Sequence, residues 1–388
     1  MEPTPFTVDV PQSEVDDLKT RLAATRWPNV TDEHVEERGL SLAWLKHAAE
    51  HWATEFDWRA AEADVNTLPQ FTAMVAGTPL HFVHARGEND GAPVLLVHGW
   101  PDSFLRYRAV IPALLAAGHD VVVPSLPGFL FSGQPKAPLR ITAVSDQLHE
   151  IVTGLGYESY VVSGGDWGAS IADHLAETRP EQVVALHLTD VPLTRLLTVD
   201  RATATEAEQR YFAGADRWFQ EAAYRAVQAA EPTALASGLS DSPVGLLAWI
   251  GAKFRDWSDD EPNLEELLTQ VSLHWFTNDA RSSLRLYSEA LDPSAWGGAA
   301  GDLEDGDDGD DGERAGSGES GQRGADPRPR IPTAVCVFPK DLLIPPREYA
   351  DRFYDVRVFT VHPRGGHFGA TEQPDLFTAD LLALLAEL

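Results

Sequence analysis

The chain has 388 residues, of which 43% are hydrophobic, so it can build a large core and is not disordered throughout. Its 60 acidic residues outnumber its 30 basic residues, and the formal net charge of −30 would be repelled by nucleic acid or an anionic membrane. The single cysteine cannot form an intramolecular disulfide, and neither a membrane span nor a secretion signal is visible, so we expect a cytoplasmic protein.

Residues 1–68 are predicted to form an N-terminal domain that contains two helices. Apolar residues recur at helical spacing after Ser13, which we expect to cap the first helix, and Ser41 is placed to cap a second. The tryptophans of this region are predicted to be packing anchors, because large aromatic side chains dominate core contacts: Trp27, Trp44, Trp52 and Trp58.

From about residue 69 the pattern alternates between short valine-rich strands and helices. FTAMVAG and PLHFVHA suggest a hairpin, and PVLLVHG, HDVVVPS, SYVVSGG, QVVALHL and TAVCVFP suggest strands buried on both faces. This is typical of an α/β fold with a mostly parallel, doubly wound sheet, which we assign to residues 69–190 and 331–388. The helical, aromatic stretch at 191–298 is predicted to be a cap over the carboxyl edge of the sheet.

A low-complexity segment, predicted to be an insertion, occupies residues 299–330. Its last thirty residues carry ten acids and four arginines, with eight glycines and almost no apolar residue. Such a composition buries too little surface to offset its conformational entropy, so we expect a solvated insertion. A calcium loop is the alternative, but the spacing of ligands that such a loop needs is not met.

GGDWGA, residues 164–169, follows a predicted strand and precedes a predicted helix. Small residues on both sides of a central polar residue permit the sharp turn called a nucleophile elbow, with Asp166 at its centre. An ordinary turn in which Asp166 caps the following helix is equally compatible with this motif alone.

HGWPDSF, which begins at His98, follows another predicted strand. In hydrolases with a nucleophile elbow, such a loop supplies one backbone N–H to an oxyanion hole and the residue after the nucleophile supplies the other, here Trp100 and Trp167. Pro101 would fix the loop, through a cis peptide bond if one forms. We expect His98 to be structural.

A histidine and an acid complete the set. His367 lies on a glycine-flanked loop after the strand YDVRVFTV, where it can act as a general base. Asp341 ends the strand TAVCVF and can orient the imidazole, although Asp190, after QVVALHL, is a competing position for the acid.

Taken in order, these motifs resemble the α/β-hydrolase-fold epoxide hydrolases of the microsomal type, in their soluble bacterial and fungal form. GGDWG, HGWP, PSLPGF, DSPVGLLAWI, FPKD and RGGHF all match, and PFTVDVPQSEVDDLKTRLAATRWP resembles the N-terminal domain that wraps the family's catalytic core. The chain lacks the membrane anchor of the animal members, and the acidic segment is not part of the family pattern.

The resemblance implies a cofactor-independent and metal-independent reaction in which water opens an epoxide to a vicinal diol through an aspartyl ester. Asp166 would be the nucleophile, and Tyr224 and Tyr287 of the cap would hydrogen-bond the epoxide oxygen. Further residues are predicted to bind an apolar or aryl epoxide, in natural-product biosynthesis or detoxification: Pro101, Trp218, Phe219, Trp249, Trp275 and Phe276. A homodimer is one of the oligomeric states that the sequence allows.

Two other functions remain open from the sequence. A haloalkane dehalogenase shares the aspartate nucleophile and the histidine–acid pair, but it binds halide through N–H donors where the cap tyrosines would be. A non-catalytic ligand-binding protein on the same scaffold would not need the complete set of nucleophile, base, acid and oxyanion donors. A serine esterase is disfavoured, because a carboxylate occupies the position of the nucleophile.

Overall fold

The computed structural model describes residues 1–29, 39–88, 91–290 and 331–388. The predicted acidic insertion at 299–330 and the end of the predicted cap lie outside the described residues. Within the described ranges, no helix combines the length and the apolar character needed to cross a membrane.

One nine-stranded sheet organises the molecule. In chain order its strands are β1 (Thr4–Phe6), β2 (Gln70–Val75), β3 (Thr78–Ala85), β4 (Gly91–Val97), β5 (His119–Pro124), β6 (Tyr160–Gly164), β7 (Val183–Leu188), β8 (Pro332–Val337) and β9 (Asp355–Val361). Their spatial order is β1-β2-β3-β5-β4-β6-β7-β8-β9. In this spatial order, β1, β2, β3 and β5 pair antiparallel with their neighbours, and the pairs from β5 through β4 to β9 are parallel. The predicted hairpin and doubly wound sheet are thus confirmed.

The described residues between β1 and β2 form three helices: α1 (Gln12–Ala23), α2 (Leu42–Thr54) and α3 (Trp58–Val65). Ser41 caps α2 as predicted, because its hydroxyl accepts the Trp44 N–H at 3.1 Å. The predicted Ser13 cap is wrong. The first helix begins at Gln12, so Ser13 lies inside its first turn, and the N-cap residue is Pro11, which has no side chain that can accept a hydrogen bond.

The remaining helices follow in three groups. Those of the first half of the sheet are α4 (Ile111–Ala116), α5 (Ile141–Gly154) and α6 (Trp167–Thr178). Between β7 and β8 come α7 (Glu206–Glu221), α8 (Ala223–Ala230), α9 (Pro232–Asp241), α10 (Pro243–Trp257), α11 (Leu264–Thr277), α12 (Ala280–Ser283) and α13 (Arg285–Glu289). The last group is α14 (Arg347–Ala350), α15 (Gly369–Glu372) and α16 (Pro374–Leu385).

The N-terminal helices pack against the helices that follow β7. The Trp52 indole N–H of α2 donates to Ser272 Oγ of α11 at 3.0 Å, and the rings of Trp58 and Phe276 lie 4.7 Å apart. Trp52 and Trp58 are almost fully buried, which confirms their prediction as packing anchors. The helices α7–α13, which we call the cap, are therefore covered on one side by the N-terminal segment.

Candidate active site

Asp166 occupies the turn that joins β6 to α6. Its φ of 57° and ψ of −129° are costly for a residue with a side chain, on the order of 1–3 kcal/mol. A Cβ added to Gly168 would lie 2.0 Å from the Val97 carbonyl oxygen, so only glycine lets α6 start this close to β4. The Asp166 side chain makes no capping hydrogen bond to α6. The turn therefore has the geometry of a nucleophile elbow and not that of a capped turn.

Two backbone N–H groups act on the Asp166 carboxylate. The Trp100 N–H donates to Asp166 Oδ1 at 2.9 Å, and the Trp167 N–H, at the start of α6, lowers the pKa of the same carboxylate. A Cβ on Gly99 would lie 2.2 Å from Asp166 Oδ1, so glycine is required there for this approach. The Trp100–Pro101 peptide is cis. These two N–H groups can stabilise negative charge on one carboxylate oxygen.

His367 lies between two carboxylates. Its Nδ1 is 2.7 Å from Asp341 Oδ1, and its Nε2 is 3.5 Å from Asp166 Oδ2. The His367 backbone is fixed on both sides, because its N–H donates to the Trp257 carbonyl at 2.7 Å and its own carbonyl accepts from Arg106 at 2.7 Å. The imidazole is thus rigidly aimed at Asp166.

Asp190, the competing acid, lies elsewhere in the same cluster. Its Oδ1 accepts the backbone N–H of Asp166 at 3.2 Å, so it supports the elbow, whereas Asp341 holds the His367 ring. Burial and the neighbouring charge of Asp341 raise the pKa of Asp190 to about 8. Asp190 can therefore be neutral at pH 7 while Asp341 carries the charge that faces the imidazole.

The charges of this cluster are mutually dependent. Burial alone would lower the pKa of His367, but the charges of Asp341 and Asp166 outweigh it and raise that pKa to about 10. Burial alone would raise the pKa of Asp166, but His367 and the Trp100 and Trp167 N–H groups lower it. The resting site is consequently an imidazolium between two carboxylates.

The two cap tyrosines lie over the oxyanion loop. Tyr224 on α8 stacks on the Trp100 ring with centroids 5.8 Å apart, and Tyr287 on α13 meets the same ring edge-on at 5.6 Å. Tyr287 also meets the Trp167 ring at 5.2 Å. The structure thus brings both predicted tyrosines to Trp100, whose N–H binds the Asp166 carboxylate.

Both tyrosines stay protonated and interact with each other. Burial raises the pKa of Tyr224 and Tyr287 above the usual range, and the negative charge of Asp166 acts in the same direction on both. Their ring centroids lie 6.0 Å apart. Two phenolic O–H groups near a carboxylate can protonate or hydrogen-bond a leaving oxygen.

Sequence reasoning missed Trp257 and Arg106. Trp257 lies 5.2 Å from the His367 ring and 5.3 Å from the Tyr224 ring, so it forms one wall of the site. Arg106 is fully buried in an ion pair with Asp102 at 3.0 Å, and it bonds the His367 carbonyl. The available signal for Arg106 was its spacing, four residues after Asp102 and next to the apolar Phe104 and Leu105.

His98 is buried behind the loop. The Leu126 N–H donates to its Nε2 at 3.1 Å, and its Nδ1 lies 2.9 Å from the Gly99 carbonyl. Burial lowers the pKa of His98 to about 4, so it is neutral. These contacts give His98 the structural place that the sequence suggested.

The predicted pocket aromatics divide into two groups. Trp275 lies under the Arg21 guanidinium of α1, and Phe276 packs on Trp58 of α3, which argues against their assignment to the substrate pocket. The reason is that the N-terminal helices cover one face of α11. Of the others, Trp218 and Phe219 hold the Arg225 guanidinium, Trp249 lies near the Lys253 ammonium, and the Pro101 carbonyl faces the cap.

A separate cluster of possible metal ligands consists of Cys336, His362 and Asp380. It is the one group of three such side chains found within the described ranges, and its donor atoms lie within 4.8 Å of one another. His362 Nε2 is 2.6 Å from Asp380 Oδ2. Two ligands on a tetrahedral zinc ion would lie about 3.3 Å apart, given bonds of about 2 Å. The short separation fits a hydrogen bond and not a shared metal.

An open groove of about 910 Å³ lies between α3, α10 and α11. It reaches Asp102, Arg106 and Phe368 behind His367, but the Asp166 carboxylate and the two cap tyrosines do not line it. The groove is therefore separate from the reaction centre. The perturbed charges converge at Asp166 and not in this groove.

Comparison with known sequences finds related proteins over nearly the whole chain. The profile described as "Epoxide hydrolase N terminus" matches residues 3–107, and that described as "alpha/beta hydrolase fold" matches residues 92–311. The chain is 35% identical to a Stigmatella aurantiaca protein classed as an epoxide hydrolase, over 97% of this chain and 83% of that protein. It is 27% identical to Epoxide hydrolase 1 of Sus scrofa, over 97% of this chain and 87% of that protein.

Solved structures show the same architecture. The Aspergillus niger epoxide hydrolase matches with a TM-score of 0.82 and 28% identity, over 100% of this chain and 97% of that chain. The Bombyx mori juvenile hormone epoxide hydrolase matches with a TM-score of 0.84 and 25% identity, over 100% of this chain and 94% of that chain.

Proposed function

The chain belongs to the epoxide hydrolase family of the α/β-hydrolase fold, and we propose that it forms the vicinal diol through a covalent ester on Asp166. The observation that carries this proposal is the division of labour between the two carboxylate oxygens. Asp166 Oδ1 accepts the Trp100 N–H at 2.9 Å, whereas Oδ2 faces His367 Nε2 at 3.5 Å without a hydrogen bond. One oxygen is thus positioned to remain a carbonyl oxygen while the other attacks.

In the first step, Asp166 Oδ2 attacks an epoxide carbon and the ring C–O bond breaks. The epoxide oxygen is a poor leaving group as an alkoxide, so it needs a proton, which Tyr224 or Tyr287 supplies. The His367 imidazolium then donates a proton to the tyrosinate, which restores the phenol. The products of this step are the ester, a free hydroxyl, a neutral imidazole and an intact phenol, so the charges balance.

In the second step, water hydrolyses the ester. Esterification removes the negative charge of Asp166, one of the two charges that raise the pKa of His367. The pKa of His367 therefore falls, the ring stays neutral after the first step, and its Nε2 is free to act as a base. His367 Nε2, oriented through Nδ1 by Asp341, would deprotonate the water that attacks Asp166 Cγ. The resulting oxyanion would occupy the place of Oδ1, between the Trp100 and Trp167 N–H groups.

The site supports an apolar or aryl epoxide as substrate. The rings of Trp100 and Tyr224 lie 5.8 Å apart, and each lies within 6.4 Å of the rings of Trp257 and Tyr287. Such rings pack against apolar and aryl groups and exclude water from the ester. The proposed setting is the cytoplasm, in natural-product biosynthesis or in detoxification, and the one cysteine, a buried free thiol, fits a reducing compartment.

The experiment that tests the ester is isotopic. After several turnovers with one epoxide in ¹⁸O-water, the peptide that contains Asp166 should carry label, because the carboxylate loses one oxygen to each diol. Single turnover should place unlabelled protein oxygen in the diol. Absence of label in that peptide, with diol still forming, would exclude the ester and favour direct attack by water.

A further inference from the structure

Two buried polar side chains of α11 bind the loop that carries the Trp100 N–H. His274 Nε2 lies 3.2 Å and Gln270 Nε2 lies 3.3 Å from the Pro101 carbonyl oxygen. The Ser103 hydroxyl donates to Gln270 Oε1 at 2.7 Å. The cap therefore grips the loop at the residues that directly follow the oxyanion donor.

The other nitrogen of His274 faces Asp279, which follows the end of α11. His274 Nδ1 lies 2.8 Å and 2.9 Å from the two Asp279 carboxylate oxygens. Asp279 Oδ2 also accepts the Leu130 N–H at 2.9 Å, within the turn that follows β5. One ion pair thus connects the oxyanion loop, α11 and a second core loop.

Hydrogen bonds from His274 to both Asp279 and the Pro101 carbonyl need a proton on each ring nitrogen; without the second proton, Nε2 would instead accept from Gln270 Nε2, which lies 3.1 Å away. One nitrogen faces a carboxylate and the other a carbonyl, and both of these groups accept hydrogen bonds. Burial alone would lower the pKa of His274, but Asp279, the Pro101 carbonyl and the more distant Asp102 raise it. The remaining titratable neighbour is His98, which is neutral and whose own pKa is lowered in part by His274.

The same segment of the cap also carries Tyr287. The chain passes from Asp279 through α12 directly into α13, where Tyr287 meets the Trp100 ring at 5.6 Å. If the ion pair between His274 and Asp279 loosens, we expect the loop that carries the Trp100 N–H to shift. The segment that carries Tyr287 should stay in place, because its neighbours Leu284 and Leu286 are buried.

We propose that the His274 imidazolium is a positioning residue for ester hydrolysis: bonded to the Pro101 carbonyl and to Asp279, it keeps the Trp100 N–H where oxyanion charge develops. His274 touches no reacting atom. Its effect depends on geometry, because an oxyanion donor stabilises charge only at about 2.7–3.1 Å from that oxygen. This inference rests on the ester mechanism proposed above.

The test follows formation and decay of the alkyl-enzyme by rapid quench and intact-protein mass spectrometry, with styrene oxide as probe. In His274→Gln the adduct should form at a rate within about threefold of wild type and decay about ten- to a hundredfold more slowly, as for a displaced oxyanion donor. The matched control is His187→Gln, since His187 is also fully buried but bonds Ser163 and not the loop.

The pH dependence separates positioning by a charged ring from general support of the fold. Wild-type adduct decay should slow on the alkaline side, as His274 loses its proton. Asp279→Asn keeps an oxygen acceptor for Leu130 but removes the charge, so this loss should move to lower pH, whereas in His274→Gln the alkaline loss should vanish.

Equal adduct decay in wild type and His274→Gln, or an unmoved alkaline loss in Asp279→Asn, would overturn the proposal. If His274→Gln does not fold by circular dichroism, Asp279→Asn still decides. Wild type that turns over the probe without any adduct would instead refute the ester mechanism, and with it this inference.

Discussion

His367 Nε2 lies 3.5 Å from Asp166 Oδ2, and the ring nitrogen has no hydrogen-bond partner among the described residues. This separation is too long for a good hydrogen bond and too short for an intervening water. The pair therefore interacts mainly through charge before the reaction. After the carboxylate is esterified, the same nitrogen becomes the nearest base to the ester carbon.

Replacing His367 by glutamine should trap the reaction halfway. Attack by Asp166 does not require a neutral imidazole, whereas attack by water on the ester does. We expect a burst of alkyl-enzyme, seen by intact-protein mass spectrometry as an added mass equal to the epoxide, followed by decay at least about a hundredfold slower than in wild type. A variant without a burst would show that ester formation itself depends on His367.

Asp341→Asn and Asp190→Asn form a matched pair that identifies the orienting acid. Asp341 holds the imidazole Nδ1 at 2.7 Å, while Asp190 holds only the Asp166 N–H. Asp341→Asn should therefore accumulate ester, and Asp190→Asn should accumulate much less. Rapid-quench measurement of the adduct decides, and the reverse order would make Asp190 the acid.

Removing either cap hydroxyl should slow formation of the ester. Tyr224→Phe and Tyr287→Phe each delete one hydrogen bond to the developing alkoxide, which costs on the order of 2–4 kcal/mol, or roughly 30- to 1000-fold in the burst rate. Tyr211→Phe is the control, because Tyr211 is a buried cap tyrosine that packs on Tyr349. A trapped adduct in the Tyr224 or Tyr287 variant would contradict this role.

Stability should fall at alkaline pH because of His367. Its pKa is raised from 6.5 to about 10 in the folded protein, so proton binding stabilises the fold fully below about pH 6.5 and this stabilisation is lost as the pH rises toward 10. Urea unfolding of wild type and His367→Gln between pH 6.5 and pH 10 measures it. The difference in the free energy of unfolding between the two proteins should shrink with rising pH; a constant difference would show that His367 is not charged at rest.

Excising residues 302–326 should leave turnover roughly unchanged. This expectation comes from composition alone, because the segment is acidic, glycine-rich and almost free of apolar residues. Steady-state diol formation by the shortened protein tests it, with thermal unfolding as the control for folding. A large loss of activity would indicate that the segment contributes to the site.

Local patterns predicted the strands and the order of the reactive groups. The elbow at Asp166 and the loop at Trp100 are short motifs whose glycines are needed within a few residues, so their geometry is already implied by neighbours in the sequence. The choice between Asp341 and Asp190 was different, because it depended on where two parallel strands end relative to His367.

The partners of the cap helices could not be predicted in the same way. An apolar helix face shows that it is buried, but not against what. The sequence therefore suggested Phe276 as a pocket residue, whereas in the structure its ring packs on Trp58. His274 was missed because its two partners, Pro101 and Asp279, become neighbours of one ring only when α11 crosses the oxyanion loop.

The bond between the Trp52 indole and Ser272 means that the N-terminal helices brace the cap from outside. Anyone who exchanges the cap for that of a relative, to change which epoxides are accepted, would cut this brace unless α1–α3 are exchanged with it. The unit to exchange in engineering is thus discontinuous in the gene, because it consists of two distant segments, α1–α3 and α7–α13.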